Sequence, residues 1–143
     1  MNAREFRIGN KYNLFLGISD DGPQYRQVEI SGINTNVLNA PRIKINNDNY
    51  WHPIENFEPI PLTEEWLLKF GFSKNENYVL QIETTLMPLS ITLSDNYPNE
   101  KYKAWDYEDE NFSYHIISNN IKHVHKLQNL YHALTGEELT LNN

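Results

Sequence analysis

The residues that most constrain the fold are the boundary signals of one short helix. Thr63 is a typical N-cap residue, and Glu64 and Glu65 put negative charge in the first turn, where the helix dipole favours it. Gly71 stands where a helix commonly ends in a positive-φ conformation that glycine adopts at little steric cost. The sequence therefore predicts a helix over residues 63–70.

Turn residues interrupt the part of the chain before this helix about every ten positions. Polar or glycine- and proline-containing clusters at 20–23 and 46–49 are typical of turns. Segments with the apolar alternation of strands lie at 12–18, 25–33 and 42–45, and an extended segment runs from 50 to 61. Several short strands at this spacing predict a small SH3-like β-barrel in residues 1–62.

The remaining residues, 63–143, predict a second α+β subdomain. Alternating segments across 77–117 indicate antiparallel strands, and Ser118 or Asn119 is a candidate cap for an amphipathic helix over 120–134. That helix has one apolar face and ends before Gly136; its apolar positions are Val124, Leu127, Leu130, Tyr131 and Leu134. The predicted fold is α+β: barrel, short connecting helix, second β unit and C-terminal helix, packed as one compact unit.

Cysteine is absent from the 143 residues, which excludes disulfides, thiolate metal sites and cysteine nucleophiles. No apolar run approaches the roughly 18–20 residues that a membrane helix needs. The N-terminal residues have no apolar stretch of the kind found in a signal peptide. We therefore expect a cytoplasmic protein that does not insert into membranes.

The negative charge is concentrated in the second half of the chain. The formal net charge is −7, of which residues 1–62 contribute −1 and residues 63–143 contribute −6. A protein that binds nucleic acid non-specifically normally clusters Lys and Arg against the phosphates. The charge distribution therefore disfavours nucleic acid as the main partner.

Several sequence stretches are similar to those of one group of proteins. They lie at 6–10, 60–72, 122–131 and 133–139, about a quarter of the chain and in the same order. These stretches resemble uncharacterised proteins of gut Bacteroidetes and their phages. The resemblance implies a phage-related protein but no activity, because the group has no assigned function.

Three polar residues of the predicted C-terminal helix form a stripe. His125, Asn129 and His132 share one face, whereas His123 points about 200° away from His125. His125 and His132 are about 10.5 Å apart along the helix axis, too far to share one metal ion. We expect this stripe to face solvent or a partner, and His52 and His115 to lie at the edge of the core.

Recognisable catalytic and cofactor motifs are absent from the sequence. The acidic run at 106–110 lacks the spacing and the glycine of a calcium loop, and indicates a solvated hairpin tip. No nucleophile elbow or glycine-rich phosphate loop occurs. The sequence therefore predicts no metal, no cofactor and no catalytic residue, and gives enzymatic activity no support.

Aromatic residues in the predicted barrel are the one positive indication of binding. Tyr50 and Trp51 are adjacent in an extended segment, so they should face opposite sides, and one of them should be exposed. SH3-like barrels bind peptides through exposed aromatic grooves, although most rings of this kind belong to the core. Together with the helix stripe, the candidate binding residues are Tyr50, Trp51, His125, Asn129 and His132.

The leading hypothesis is a non-catalytic binding or accessory module that acts through protein surfaces. An alternative is a nucleic-acid-associated protein whose barrel presents basic residues; that contact set is Arg4, Arg7, Lys11, Arg42 and Lys44. A third hypothesis is a small hydrolase with an unrecognised site, which requires a deep pocket where a histidine and a carboxylate converge.

Overall fold

The structure is a computed structural model of the 143-residue chain. It describes residues 3–36, 40–76, 79–84, 87–95, 98–99, 101–108 and 113–142. The chain divides into two compact units. The first comprises Met1–Ile60 with His123–Asn129, and the second comprises Pro61–Lys122 with Leu130–Asn143.

The first unit contains a five-stranded antiparallel sheet. Its strands are β1 (Lys11–Ser19), β2 (Gly22–Asn34), β3 (Arg42–Ile45), β4 (Trp51–Pro53) and β5 (Phe57–Glu58), in the spatial order β4-β3-β2-β1-β5. Short 3-10 helices at Ala3–Glu5 and Ile54–Asn56 precede β1 and β5. The long β1–β2 hairpin forms the centre of this sheet.

The predicted SH3-like barrel is wrong, because the sheet is open. Within the described residues β4 pairs only with β3 and β5 pairs only with β1, so no ladder joins the two outer strands. Closure needs backbone hydrogen bonds between those strands, but β4 and β5 have only three and two residues. Alternation predicted the strands and could not show whether the outer ones pair.

The inner face of the sheet forms the core of the first unit. Tyr12 and Leu14 of β1 belong to the same buried cluster as Ile43 and Ile45 of β3, as expected for strands with one buried face. The Phe6 ring stacks on Tyr12 with centroids 4.5 Å apart. The turn that joins β1 to β2 is tighter than predicted, since Gly22 and Pro23 already belong to β2.

The first helix of the second unit, α1 (Glu64–Lys69), confirms the predicted boundary signals. The hydroxyl of Thr63 accepts a hydrogen bond from the Trp66 N–H at 3.4 Å. Gly71 has a φ of 92°, the conformation expected after a helix end. The Phe72 N–H donates to the Leu67 carbonyl at 3.0 Å, which satisfies one of the last carbonyls of the helix.

The second sheet is an antiparallel meander of five strands. They are β6 (Ser73–Lys74), β7 (Val79–Ile82), β8 (Leu89–Thr92), β9 (Ala104–Glu108) and β10 (Ser113–Ser118), in the order β10-β9-β8-β7-β6. Strand β8 is buried at every position. Tyr78 and the predicted acidic hairpin tip at 109–111, with Phe112 after it, lie outside the described residues.

The second helix, α2 (Val124–Thr135), starts four residues later than predicted. Neither Ser118 nor Asn119 caps it, because the backbone that follows them is held in long-range hydrogen bonds. The Ile121 N–H donates to the Tyr102 carbonyl, and the Lys122 carbonyl accepts from the Leu62 N–H, both at 2.9 Å. The helix ends as predicted before Gly136, which has a φ of 73°.

Candidate binding surfaces

Both aromatic residues singled out in the sequence are exposed at the start of β4. Tyr50 is 75% exposed and Trp51 is 45% exposed. Asp48 holds this segment, since its carboxylate accepts from the Tyr50 N–H at 2.8 Å and lies 2.7 Å from the His52 Nε2 atom. Both contacts lower the pKa of the Asp48 carboxyl, and the hydrogen bond from the Tyr50 N–H has the larger effect. The sequence made one of the two rings a candidate for exposure, and in the structure both are exposed.

The Trp51 indole lies on the outer face of the first sheet, over a glycine. Residues Gly32, Lys44 and Trp51 form a row across three strands. A Cβ atom added to Gly32 would be 3.2 Å from Trp51 Cη2 and 3.3 Å from Lys44 Cβ, closer than ordinary van der Waals contact. The absence of a side chain at residue 32 therefore lets one side of the indole rest against the sheet, as expected for glycine within a strand.

Two cations lie on the same outer face as Trp51. Arg42 and Lys44 alternate along β3 with the buried Ile43 and Ile45, so their side chains point away from the core. Among the described residues neither forms a salt bridge or a hydrogen bond through its side chain. We define the outer face as the two cross-strand rows of the register, which are Gly32–Lys44–Trp51 and Asn34–Arg42–Pro53.

The basic residues suggested by the sequence as nucleic-acid contacts do not all lie on one surface. Arg7 Nε donates to the Asn129 side chain at 3.1 Å, and its Nη2 donates to the Gln128 carbonyl at 3.2 Å. Lys11 forms a 2.8 Å salt bridge with Glu29. These two cations have internal partners, whereas Arg42 and Lys44 lie together on the outer face.

The end of the β1–β2 hairpin is a second exposed surface, which sequence reasoning did not identify. Leu16 is 56% exposed and Ile18 is 79% exposed. Phe15 and Tyr25 pair across the strands with ring centroids 5.6 Å apart, and the Tyr25 hydroxyl donates to Glu58 at 2.8 Å. We call Leu16, Ile18 and Tyr25 the hairpin-end patch. The sequence does contain a pattern that points to this patch, because the apolar alternation of β1 continues beyond Leu14, the last buried residue of the strand.

Of the polar stripe predicted on the last helix, His125 is buried. Its side chain is 1% exposed and stacks against Tyr12, with ring centroids 4.8 Å apart, and against His123 at 5.7 Å. The expectation that it faces solvent or a partner is therefore wrong for His125, because the Tyr12 ring covers this part of the helix. His132, by contrast, is half-exposed and lies 3.8 Å from a Glu138 carboxylate oxygen.

Asn129 and its neighbour Gln128 bind the N-terminal segment. The Asn129 side chain accepts from Asn10 at 3.0 Å, as well as from Arg7, and donates to the Glu5 carbonyl at 3.2 Å. The buried Gln128 side chain accepts from the Lys11 N–H at 2.9 Å and donates to the Gly9 carbonyl at 3.0 Å. This part of the predicted stripe therefore makes contacts inside the first unit.

Burial makes the His125 ring hard to protonate. Its pKa is lowered from 6.5 to about 4, chiefly by desolvation and then by the neighbouring His123. The Nε2 atom is 3.6 Å from the Glu5 carboxylate, longer than a hydrogen bond. Burial also raises the pKa of the Tyr12 hydroxyl, and the Glu5 carboxylate acts in the same direction. Both groups are neutral at physiological pH.

A cavity of about 300 Å³ lies in the second unit. Leucines form part of its wall, together with Lys74, which pairs with Glu64 at 3.1 Å, and Lys101, which pairs with Asp95. No histidine lines this cavity. It therefore lacks the pairing of histidine and carboxylate that the hydrolase hypothesis requires.

Neither a group of metal-ligating side chains nor a helix suited to crossing a membrane occurs in the part of the chain that the structure describes. No three histidine or carboxylate side chains there are grouped so that they could hold a metal ion. No described helix combines the length and the apolar character that crossing a membrane requires. Comparisons with protein-family models, with curated proteins and with solved structures give no match.

Proposed function

We propose that this chain is a non-catalytic binding module that holds a protein partner through the hairpin-end patch. The observation that carries the proposal is the exposure of two large apolar side chains, Leu16 and Ile18, close in sequence at the end of the β1–β2 hairpin, where the pairing is irregular between Phe15 and Gly17. A fully buried Leu or Ile side chain contributes about 1.5–3 kcal/mol relative to an exposed one. A partner that covers the patch would recover much of this contribution.

The polar surroundings of the patch indicate the chemistry of the partner. Asp20 and Asp21 lie in the turn directly after Ile18 and Ser19, and both are exposed. Glu58 lies on the other side, hydrogen-bonded by Tyr25. Protein interfaces commonly combine an apolar centre with a polar rim of complementary charge. The expected partner surface therefore has an apolar centre with Lys or Arg around it.

Site-specific photocrosslinking tests the proposal. A photoreactive phenylalanine analogue at Ile18 should give a discrete crosslinked species in the native host cells. Leu16→Asp should abolish that species without unfolding the protein, because substitutions at exposed positions usually change stability by no more than about 0.5 kcal/mol. The matched control places the same analogue at the exposed Asn36, away from the patch.

Two outcomes would contradict the proposal. The first is an Ile18 crosslinking pattern no different from that of the Asn36 control. The second is a crosslink that forms equally well with the purified protein alone, which would identify the partner as a second copy of this chain. Retention of the far-ultraviolet circular dichroism spectrum by Leu16→Asp separates loss of binding from loss of fold.

A further inference from the structure

We propose that the outer face of the first sheet binds a short single-stranded nucleic acid segment. One base stacks on the Trp51 indole, and Arg42 and Lys44 contact consecutive phosphates. The site is separate from the hairpin-end patch and does not depend on the function proposed for that patch. It arises because the register of β2, β3 and β4 brings one aromatic ring and two cations onto one face.

The Trp51 ring is held in an orientation suited to stacking. Its inner side rests over Gly32 and beside the Lys44 stem, while the residue keeps 45% of its surface exposed. A ring that is already fixed loses little conformational freedom when a ligand stacks on it. Base–aromatic stacking tolerates any sequence, because every base has a π-face. Tyr50, immediately before Trp51, offers a second exposed ring.

The two cations have the spacing of an extended polyanion. Arg42 and Lys44 are two residues apart on β3, so their Cα atoms are about 6.6–6.8 Å apart along the strand. The nearby Asp48 carboxylate is engaged by the Tyr50 N–H and by His52. The two cations on the outer face are therefore available to an anionic ligand.

A single nucleic acid strand uses all three groups, whereas an acidic peptide needs only the two cations. The net charge of −7 opposes binding of any polyanion at long range. Only −1 of it comes from residues 1–62, however, and interactions between exposed charges are screened beyond about 10 Å at 0.1 M salt. We expect weak binding that is governed by contacts on the outer face.

Titration with the octamer (dT)8 tests this site. Trp51 is one of three tryptophans, so its signal is the part of the fluorescence change that Trp51→Phe alters. Trp51→Ala should weaken binding about tenfold, within the range measured for loss of one stacking contact. Two phosphate contacts predict a slope of about −1.4 for log K against log salt concentration, and Arg42→Gln should reduce it to about −0.7.

The control variant is Lys69→Gln, which removes the same charge from α1, where Lys69 pairs with Glu65. It should leave both the affinity and the salt slope unchanged. The proposal is overturned if (dT)8 gives no signal at 20 mM salt, or if Lys69→Gln weakens binding as much as Arg42→Gln. It is also overturned if octaglutamate binds as tightly as (dT)8, with an affinity that Trp51→Ala does not change. Thermal unfolding of each variant shows whether the fold is intact.

Discussion

Gly32 determines where the Trp51 indole can lie. A methyl group there would be 3.2 Å from the ring, so we expect Gly32→Ala to lift the indole from the sheet. The Trp51-dependent part of the fluorescence should then be quenched more strongly by acrylamide. Ser31→Ala is the control, because it keeps a Cβ atom at the neighbouring position. Equal quenching of Gly32→Ala and the unmodified protein would show that the ring does not depend on the glycine.

Burial of His125 predicts a loss of stability on acidification. Its pKa is about 4 in the folded chain and near 6.5 when the chain is unfolded, so the unfolded state binds the proton more readily between these values. The free energy of unfolding should therefore decrease as the pH falls from about 6.5 to about 4, by on the order of 2–3 kcal/mol from this residue. Above pH 7 the ring is neutral in both states and contributes no pH dependence.

Urea denaturation of the unmodified protein and of His125→Phe measures this effect. The phenylalanine ring can retain the stacking with Tyr12 but cannot be protonated. The difference in unfolding free energy between the two proteins should be constant above pH 7 and should shift in favour of His125→Phe below pH 6. Parallel curves from pH 8 to pH 4 would mean that the buried histidine does not control acid stability.

The roles of single residues were only partly predictable. Glycine inside a strand is a general signal for close approach, and it could have pointed to Gly32. That Trp51 is the neighbouring ring depends on the register shift between Ile30 and Gly32, which alternation alone does not reveal. Helical spacing put His125 and Asn129 on one face, but Tyr12, more than a hundred residues away in sequence, determines that His125 is buried.

At the scale of elements, local signals predicted α1 well. Substitution of its N-cap, Thr63→Ala, should lower the free energy of unfolding by about 1 kcal/mol, because the Trp66 N–H loses its side-chain acceptor. Thr63→Ser keeps a hydroxyl at the same position and should restore most of the loss. Chemical denaturation of both variants measures the difference. Equal stability of Thr63→Ala and Thr63→Ser would show that the 3.4 Å hydrogen bond contributes nothing.

The start of α2 shows where local signals fail. Ser118 and Asn119 are good cap residues, and nothing in the following sequence opposes a helix. Long-range backbone hydrogen bonds to Tyr102 and Leu62 instead hold residues 121 and 122 outside the helix. Tertiary hydrogen bonding therefore overrides a local preference of the kind that sequence reasoning can detect.

At the scale of the whole molecule, the sequence indicated two β units and two helices, but not that the first β unit is an open sheet, nor how the chain is divided between the units. The first unit is discontinuous, since it takes His123–Asn129 from the far end of the chain. Hydrogen bonds join the Arg7 and Asn10 side chains to that of Asn129. Nothing in the sequence suggests that these residues contact each other. The division at residue 62, drawn from the strand and helix patterns, could not anticipate that residues 123–129 belong to the first unit.

This discontinuity predicts that residues 1–60 do not fold alone. Without the returning segment, Tyr12 loses the His125 ring that stacks on it, and the N–H of Lys11 loses its Gln128 acceptor. We expect the fragment to give a poorly dispersed amide spectrum and no cooperative unfolding transition. Addition of a peptide covering 121–136 should restore dispersion. A well-dispersed spectrum of the fragment alone would contradict this expectation.

The hydrogen bond between Arg7 and Asn129 joins residues 122 positions apart. A ribosome must therefore synthesise most of the chain before the first sheet acquires its last partners. During that interval the second unit can begin to form, while the Tyr12 side of the first sheet stays incomplete. Contacts of such large sequence separation slow folding, because the chain must close a long loop before they contribute. The strands of the first sheet are thus synthesised well before the α2 residues that complete their contacts.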